Sequence, residues 1–445
     1  MIGSNRQFFK NGNFRAWIPV FFFIAYWLNS YFHYQFGLLI RDPLRVQTHL
    51  YLVINLIVFI IMYRAGLGDN YRSCVVQRNE DVWRLNSRFF RYIPLLCVIV
   101  FISWCAMIAD RFITGAGSIT KTLEETAWVR EEMVLSPLTT FSMLFNIWQV
   151  VYLALYFLAL ASRFPIKRWV HILTWFFFLL MCFNAFLSAN RGAFFTVVQY
   201  MVFLLLYVKG ESIKNVLFKN SYLVIRIVVV LFCVVALSYF QFISRHRGDE
   251  GGLRAYSYDQ KERDRYGLFK SNTDELDMAA FFVTYSYMSE GYQYIDLFLR
   301  HAPPFYFYPF DLLGERVMRQ FRRVFPQIPE DLKCIQIGNG WRRSAGFNLY
   351  GWPTIWGWNL CMFGYIGSVI FIGLLAWWIG WCSKMFLRYK DVSYLIICLA
   401  WYLNLMVSFN NIWGDVHHHL AFLLGFILIL GAKRRVMHSH YRLQR

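Results

Sequence analysis

Runs of roughly 18 or more residues without a charged side chain recur along most of the chain, and they dictate its surroundings. Such runs are too apolar and too numerous for one soluble core. In a bilayer there is no water to satisfy backbone N–H and C=O groups, so spanning segments of this length are helices. Composition agrees: 58% of the 445 residues are hydrophobic, 20% are aromatic and only 16% are charged. A soluble domain carries about 25% charged residues. The reading is all-α, a polytopic transmembrane bundle forming a single domain. It has about ten spans, at 16–40, 48–63, 92–109, 139–160, 170–188, 193–208, 222–242, 353–381, 392–409 and 417–430.

Charge orients the bundle. The N-terminal segment, the loops after the second, fourth, sixth and eighth spans, and the tail are all rich in Lys and Arg. With both termini in the cytoplasm, each of these lies inside, as the positive-inside rule requires. The net charge of +19 is then a topology signal and not a nucleic-acid footprint. The basic N-terminus lacks a short apolar core followed by a small-residue cleavage site, so the first span is expected to be retained as an anchor. The nine cysteines include no CxxC pair and most fall within apolar runs, so neither a disulfide framework nor a metal site is expected. No internal repeat is visible, which weighs against a transporter.

Residues 243–352 form one long polar loop, placed outside the cytoplasm by the alternation. It opens with Arg245, His246 and Arg247 and closes with Arg342 and Arg343 among glycines and aromatics. A second outside feature is the turn Asn190-Arg191-Gly192 between two apolar helices. Arg191 either snorkels and fixes that turn or presents its fork to a phosphate; charge at membrane depth favours function. Arg245, His246 and Arg247 either anchor the interface or hold an anionic headgroup, with His246 a candidate proton acceptor. Residues 277–300 have helical apolar spacing and carry Glu290 and Asp296, with His301 just beyond. That segment reads as a helix on the membrane surface, or as a lid bringing Glu290 or His301 to a reacting hydroxyl. After the proline break at 303–309, Arg316, Arg319 and Arg323 form one stripe of an amphipathic helix, which touches headgroups or lines a path for a diphosphate. His417, His418 and His419 point in different directions along a helix, so they cannot share a metal.

The layout resembles the Wzy-type family, the oligosaccharide repeat-unit or O-antigen polymerases of bacterial surfaces. The likeness rests on about ten helices, one dominant loop in the second half, the turn Ser188-Ala189-Asn190-Arg191-Gly192-Ala193, and the glycine-containing stretch from Gly346 through Phe363-Gly364-Tyr365-Ile366-Gly367. It is also similar to O-antigen ligases, in which a loop histidine works near the reacting hydroxyl; His246 and His301 are the candidates here.

The resemblance implies a glycosyltransferase of the bacterial inner membrane with its long loop in the periplasm. Its substrates would be lipid-linked oligosaccharides, and its partner a chain-length regulator. A sugar hydroxyl on one lipid-linked unit would attack the anomeric carbon of another, releasing polyprenyl diphosphate. Preorganised arginines suit that leaving group and would serve in place of a metal, with no cofactor. On this reading Arg191 and either Arg245 or Arg247 hold the diphosphate, and Arg342 or Arg343 the second lipid. The rivals are a ligase with a lipid-core acceptor, a transporter or flippase for lipid-linked glycans, and a membrane acyltransferase using the 417–419 histidines.

Overall fold

The computed structural model describes residues 12–36, 44–68, 79–113, 148–187, 199–211, 295–305, 355–406 and 423–430, with isolated positions such as Ser142, Val197 and Tyr292 between them. Every regular element among these residues is helical. In order they are α1 (Gly12–Phe36), α2 (Val46–Leu67), α3 (Asn79–Phe90), α4 (Ile93–Ile113), α5 (Trp148–Ala161), α6 (Arg168–Leu187), a π-helix (Phe203–Val208), α7 (Ile355–Tyr389) and α8 (Val392–Met406). Among the described residues three helices are long and apolar enough to cross a membrane: α2, α4 and the Asn359–Tyr389 part of α7.

The helices are inside out relative to a soluble bundle. On α2, Val46, Leu50, Ile54, Ile57 and Ile61 are exposed, whereas Thr48, Tyr51, Asn55 and Tyr63 are buried. On α6, Ile172, Trp175, Phe176, Leu179 and Phe183 form another exposed stripe at helical spacing. Large contiguous apolar faces of this kind are rare on soluble monomers and suit a lipid surround. Behind them, α5 is buried from Gln149 to Ala159 and α8 from Val392 to Leu403. A helix apolar all round belongs in the middle. Polar side chains there find one another: Gln149 accepts from Trp104 Nε1 at 3.2 Å and donates to Tyr200 Oη at 2.9 Å, tying α4, α5 and the residues before the π-helix together.

The tightest pairing is α2 on α7. A Cβ added at Gly66 would lie 2.0 Å from the Trp377 carbonyl oxygen, and one at Gly380 would lie 2.3 Å from the Tyr63 carbonyl oxygen. Small residues let two backbones touch, the main way helices gain packing energy in lipid. Contact runs from Tyr51 with Ser368 through Met62 with Gly373 to Leu67 with Gly380, so the two helices are parallel.

The chain segments sort onto two ends. At one end Tyr63 Oη and Ser383 Oγ both donate to the Ala16 carbonyl. There the Arg15 guanidinium caps the π-helix through the carbonyls of Tyr207 and Val208, each at 2.7 Å. Trp83 bonds Ser162 O and Asn86 bonds Lys390 O at the same end. The other end gathers the close of α1, the start of α2, the start of α7, and Tyr292 and residues 295–305 of the long loop.

Three sequence expectations change. The basic loop after the second span contains a helix, α3. The eighth span is not one unbroken helix, because it breaks at Gly364 (φ 73°, ψ 179°). Within residues 277–300, the described residues Tyr292, Ile295 and Phe298 are buried inside the protein, not laid against lipid. The seventh span and most of the long loop lie outside the described residues.

Candidate functional site at the loop end

The break at Gly364 is filled by the long loop. Tyr365 N–H donates to the Pro303 carbonyl at 3.0 Å, and Ile366 and Gly367 N–H donate to the Pro304 carbonyl at 2.9 and 3.4 Å. Those three amides begin the second part of α7 and would otherwise lack partners, since a helix leaves its first N–H groups unsatisfied. Proline suits the donor-free side of this exchange, having a carbonyl to give and no N–H to satisfy. Only glycine fits position 364. Its φ is left-handed, and an added Cβ would sit 2.3 Å from the Pro303 carbonyl oxygen.

Seven residues before Pro303, the same loop segment carries a buried carboxylate. Asp296 accepts from the Arg45 backbone N–H at 3.2 Å, from Arg45 Nε at 3.2 Å, from Thr48 Oγ1 and from Arg300 Nη2 at 2.8 Å. Arg45 also donates Nη2 to the Asp296 carbonyl at 2.8 Å. The Asp296 side chain is 9% exposed, against 36% for Arg45 and 53% for Arg300. Burial pushes the Asp296 carboxyl up, but the hydrogen bonds from Thr48, Arg300 and the Arg45 amide, with the Arg45 charge, outweigh it and hold the group below the ordinary carboxylate value. The local sequence explains the geometry. Asp296 and Arg300 stand four apart on helical residues 295–301, on one face, in the favourable acid-before-base order. Arg45 and Thr48 lie at the start of α2, where an anion is also welcome.

An aromatic wall stands beside this cluster. Tyr31 Oη bonds His49 Nδ1, and the Tyr31 ring meets that of Tyr292 at 5.8 Å edge to face. Tyr292 Oη donates to the Trp27 carbonyl at 3.1 Å. His49 is half-buried, so an imidazole with a fixed tyrosine partner stands four residues from Arg45.

Chemically, this end presents two guanidiniums joined by one carboxylate. Asp296 occupies Nε and Nη2 of Arg45 and one Nη of Arg300. The trio is net positive, and donors on both half-exposed arginines are left to meet an anion. No group of His, Cys, Asp and Glu among the described residues is arranged to hold a metal ion. A groove of about 460 Å³ along Phe14, Trp17, Phe21, Ile24, Ala25 and Leu28 is wholly apolar and has no part in this chemistry.

Of the residues singled out from sequence, His301 is described: it is exposed at the end of helical residues 295–301, one position past Arg300. Asn190, Arg191, Arg245, His246, Arg247, Glu290, Arg316, Arg319, Arg323, Arg342 and Arg343 lie outside the described residues. The sequence reading passed over Arg45, Thr48, His49 and Arg300. A signal did exist. Asp296 sits in an apolar helical pattern, and a carboxylate on such a face needs cationic partners.

Comparison with protein-family models, with curated proteins and with solved structures finds no match for this chain. The site's own chemistry therefore carries the functional reading.

Proposed function

We propose that the chain is a membrane glycosyltransferase that polymerises polyprenyl-diphosphate-linked oligosaccharide repeat units, working at the loop end of a ten-span bundle. In this reading the loop end faces the periplasm, both termini face the cytoplasm, and the protein resides in a bacterial inner membrane. The observation that carries it is the Arg45–Asp296–Arg300 cluster, where the long loop meets the membrane helices. A diphosphate leaving group needs positive charge already in place where negative charge builds up. Asp296 positions the two arginines, and both side chains are partly exposed, which leaves their remaining donors open to a headgroup. The expected diphosphate ligands Arg191, Arg245, Arg247, Arg342 and Arg343 belong to the same face in the alternation and would complete the anion site. His301, or His246 and Glu290 farther along the loop, would take the proton of the attacking hydroxyl. The His49–Tyr31 pair is a further candidate for that proton. A chain-length regulator is the partner this activity calls for.

The test is reconstitution in liposomes with a synthetic lipid-diphosphate repeat unit in the presence of EDTA. Wild type should give a ladder of products. Arg45→Gln and Arg191→Ala should each reduce it by about 100-fold, the scale of one lost transition-state donor. Ladders as strong as that of wild type from both variants would sink the proposed anion site. A ligase would form no ladder, yet would transfer the glycan to a lipid-core acceptor.

A second reading, transport of lipid-linked glycans, draws on the break in α7. Discontinuous helices in transporters aim half-helix ends at substrates. Buried Asn55 and Asn359 supply polar groups within the bundle, and neither Asn359 amide atom has a hydrogen-bond partner among the described residues. Movement of intact substrate across sealed liposomes, without a ladder, would favour this reading.

A further inference from the structure

At the end of the bundle away from the long loop, α3 is held at a fixed rotation about its own axis. Its buried face is Val82, Asn86 and Phe90. Asn86 donates to the Lys390 carbonyl at 3.0 Å and accepts from Val392 N–H at 3.0 Å. Trp83 Nε1 donates to the Ser162 carbonyl at 2.8 Å, and the Phe90 and Phe164 rings pack at 4.7 Å. Two separate interhelical turns therefore fix which face α3 presents outward. That face is Arg84, Ser87 and Arg88, continued by Arg91, all exposed and at helical spacing. None of the three arginines has an ion-pair partner among the described residues. The exposed Arg163 and Lys167 lie on the turn that holds Trp83.

The stripe runs directly into a lipid-facing one. Tyr92 is 49% exposed, and Leu95 and Ile102 follow at 56% and 47% on α4. An exposed tyrosine followed by exposed aliphatics marks the boundary between headgroups and acyl chains. Arg91 precedes that boundary by one residue and Arg88 by one helical turn, so these arginines stand at headgroup level. A loop that supplied positive charge for topology alone would not need its arginines in register on a helix stapled by buried side chains.

We propose that α3 is a binding surface for acidic phospholipid headgroups, with Arg84, Arg88 and Arg91 contacting the phosphates of the surrounding leaflet. This does not rest on the glycosyltransferase reading. A basic group close to an anionic membrane contributes about fivefold in affinity, so three together contribute roughly a hundredfold.

The experiment uses the full chain purified in neutral detergent, with phosphatidylglycerol or phosphatidylcholine added. Bound lipid is counted by native mass spectrometry, and thermal unfolding is followed in parallel. Wild type should retain phosphatidylglycerol over phosphatidylcholine and unfold at higher temperature with it. Arg84→Gln/Arg88→Gln/Arg91→Gln should lose most of that preference, roughly a hundredfold in affinity. The matching triple Lys variant should keep most of it, which separates loss of charge from damage to the fold. If the Gln variant does not fold, wild type decides: its preference must fall steeply between 0.05 and 0.5 M salt, values chosen on the order of the screening range. No preference in wild type overturns the proposal, as does a folded Gln variant that binds as wild type does. A preference indifferent to salt overturns it as well.

Discussion

At the loop end, an ionised carboxylate holds two arginines and proline carbonyls cap a broken helix. At the opposite end, the described bonds between segments are mostly neutral: the Asn86 amide, the Trp83 indole and the Tyr63 hydroxyl all meet backbone carbonyls, Arg15 reaches across to the π-helix, and the charged Arg64 and Asp391 bond Gly68 O and Ser393 N–H within a few residues of themselves. The opposite end is thus joined by bonds of moderate and independent strength. The loop end concentrates its cohesion in a few groups, each of which leaves a charge or a set of amides unsatisfied if lost. An end built in that way can carry an anion site, because its charge is fixed in place. It is also the end more easily broken.

Four substitutions and one control test this contrast. Gly364→Ala should have the largest effect, because the left-handed φ and the clash with the Pro303 and Pro304 carbonyls act together. A loss of about 2–5 kcal/mol is expected, read as a fall in melting temperature in detergent. Gly373→Ala serves as its control, since an added Cβ there would first meet the movable Val58 side chain at 3.0 Å. Equal melting temperatures for the two variants would show that the loop does not hold the break.

Asp296→Asn comes next. It strands two arginines, but both are partly exposed, so about 2 kcal/mol is expected in place of the larger cost of a fully buried pair. The pH dependence has a definite sign. The folded-state value of Asp296 lies below its unfolded one, so its stabilisation is present above the unfolded value, about 4, and is lost as pH falls through the lower folded value. Acid titration of the melting temperature should show this loss in wild type, and the Asn variant should lack it.

Asn86→Ala should cost about 1–2 kcal/mol, because it removes two bonds to the 390–392 turn and orphans the Val392 amide. Faster tryptic cleavage at Arg84 and Arg88 would report the release of α3; unchanged cleavage would mean that the aromatic contacts suffice. Arg300→Gln should cost least, under about 1 kcal/mol, since that side chain is half exposed. A cost as large as that of Asp296→Asn would place the cohesion of the loop end in Arg300 instead of Arg45.

The helices most legible in the sequence were those with long uncharged runs. α2, α4 and α6 fall where the apolar pattern put them, with ends shifted by a few residues, and α5 (Trp148–Ala161) covers the second half of the expected fourth span. α3 was hidden because its arginines made it read as a basic loop; its periodicity lies in the buried Val82, Asn86 and Phe90, only two of which are apolar. The candidate site was legible in part. Arg45 and Asp296 were visible as charged residues, but 251 positions separate them, and no local pattern pairs residues so far apart.

Hydropathy alone determined that this chain is all-helical and made for an apolar surround, because backbone groups in lipid can be satisfied in few ways. Among the described residues, Arg15, the end of the π-helix, α3 and the turns at Ser162 and Lys390 share one end. Only the tertiary structure decided that Pro303 and Pro304 dock at a break in α7, and that Asp296 joins Arg45 to Arg300. The physical reason is range. Hydropathy is a property of each segment taken alone, whereas a bond between a loop carbonyl and a helix amide exists only once both segments are in place.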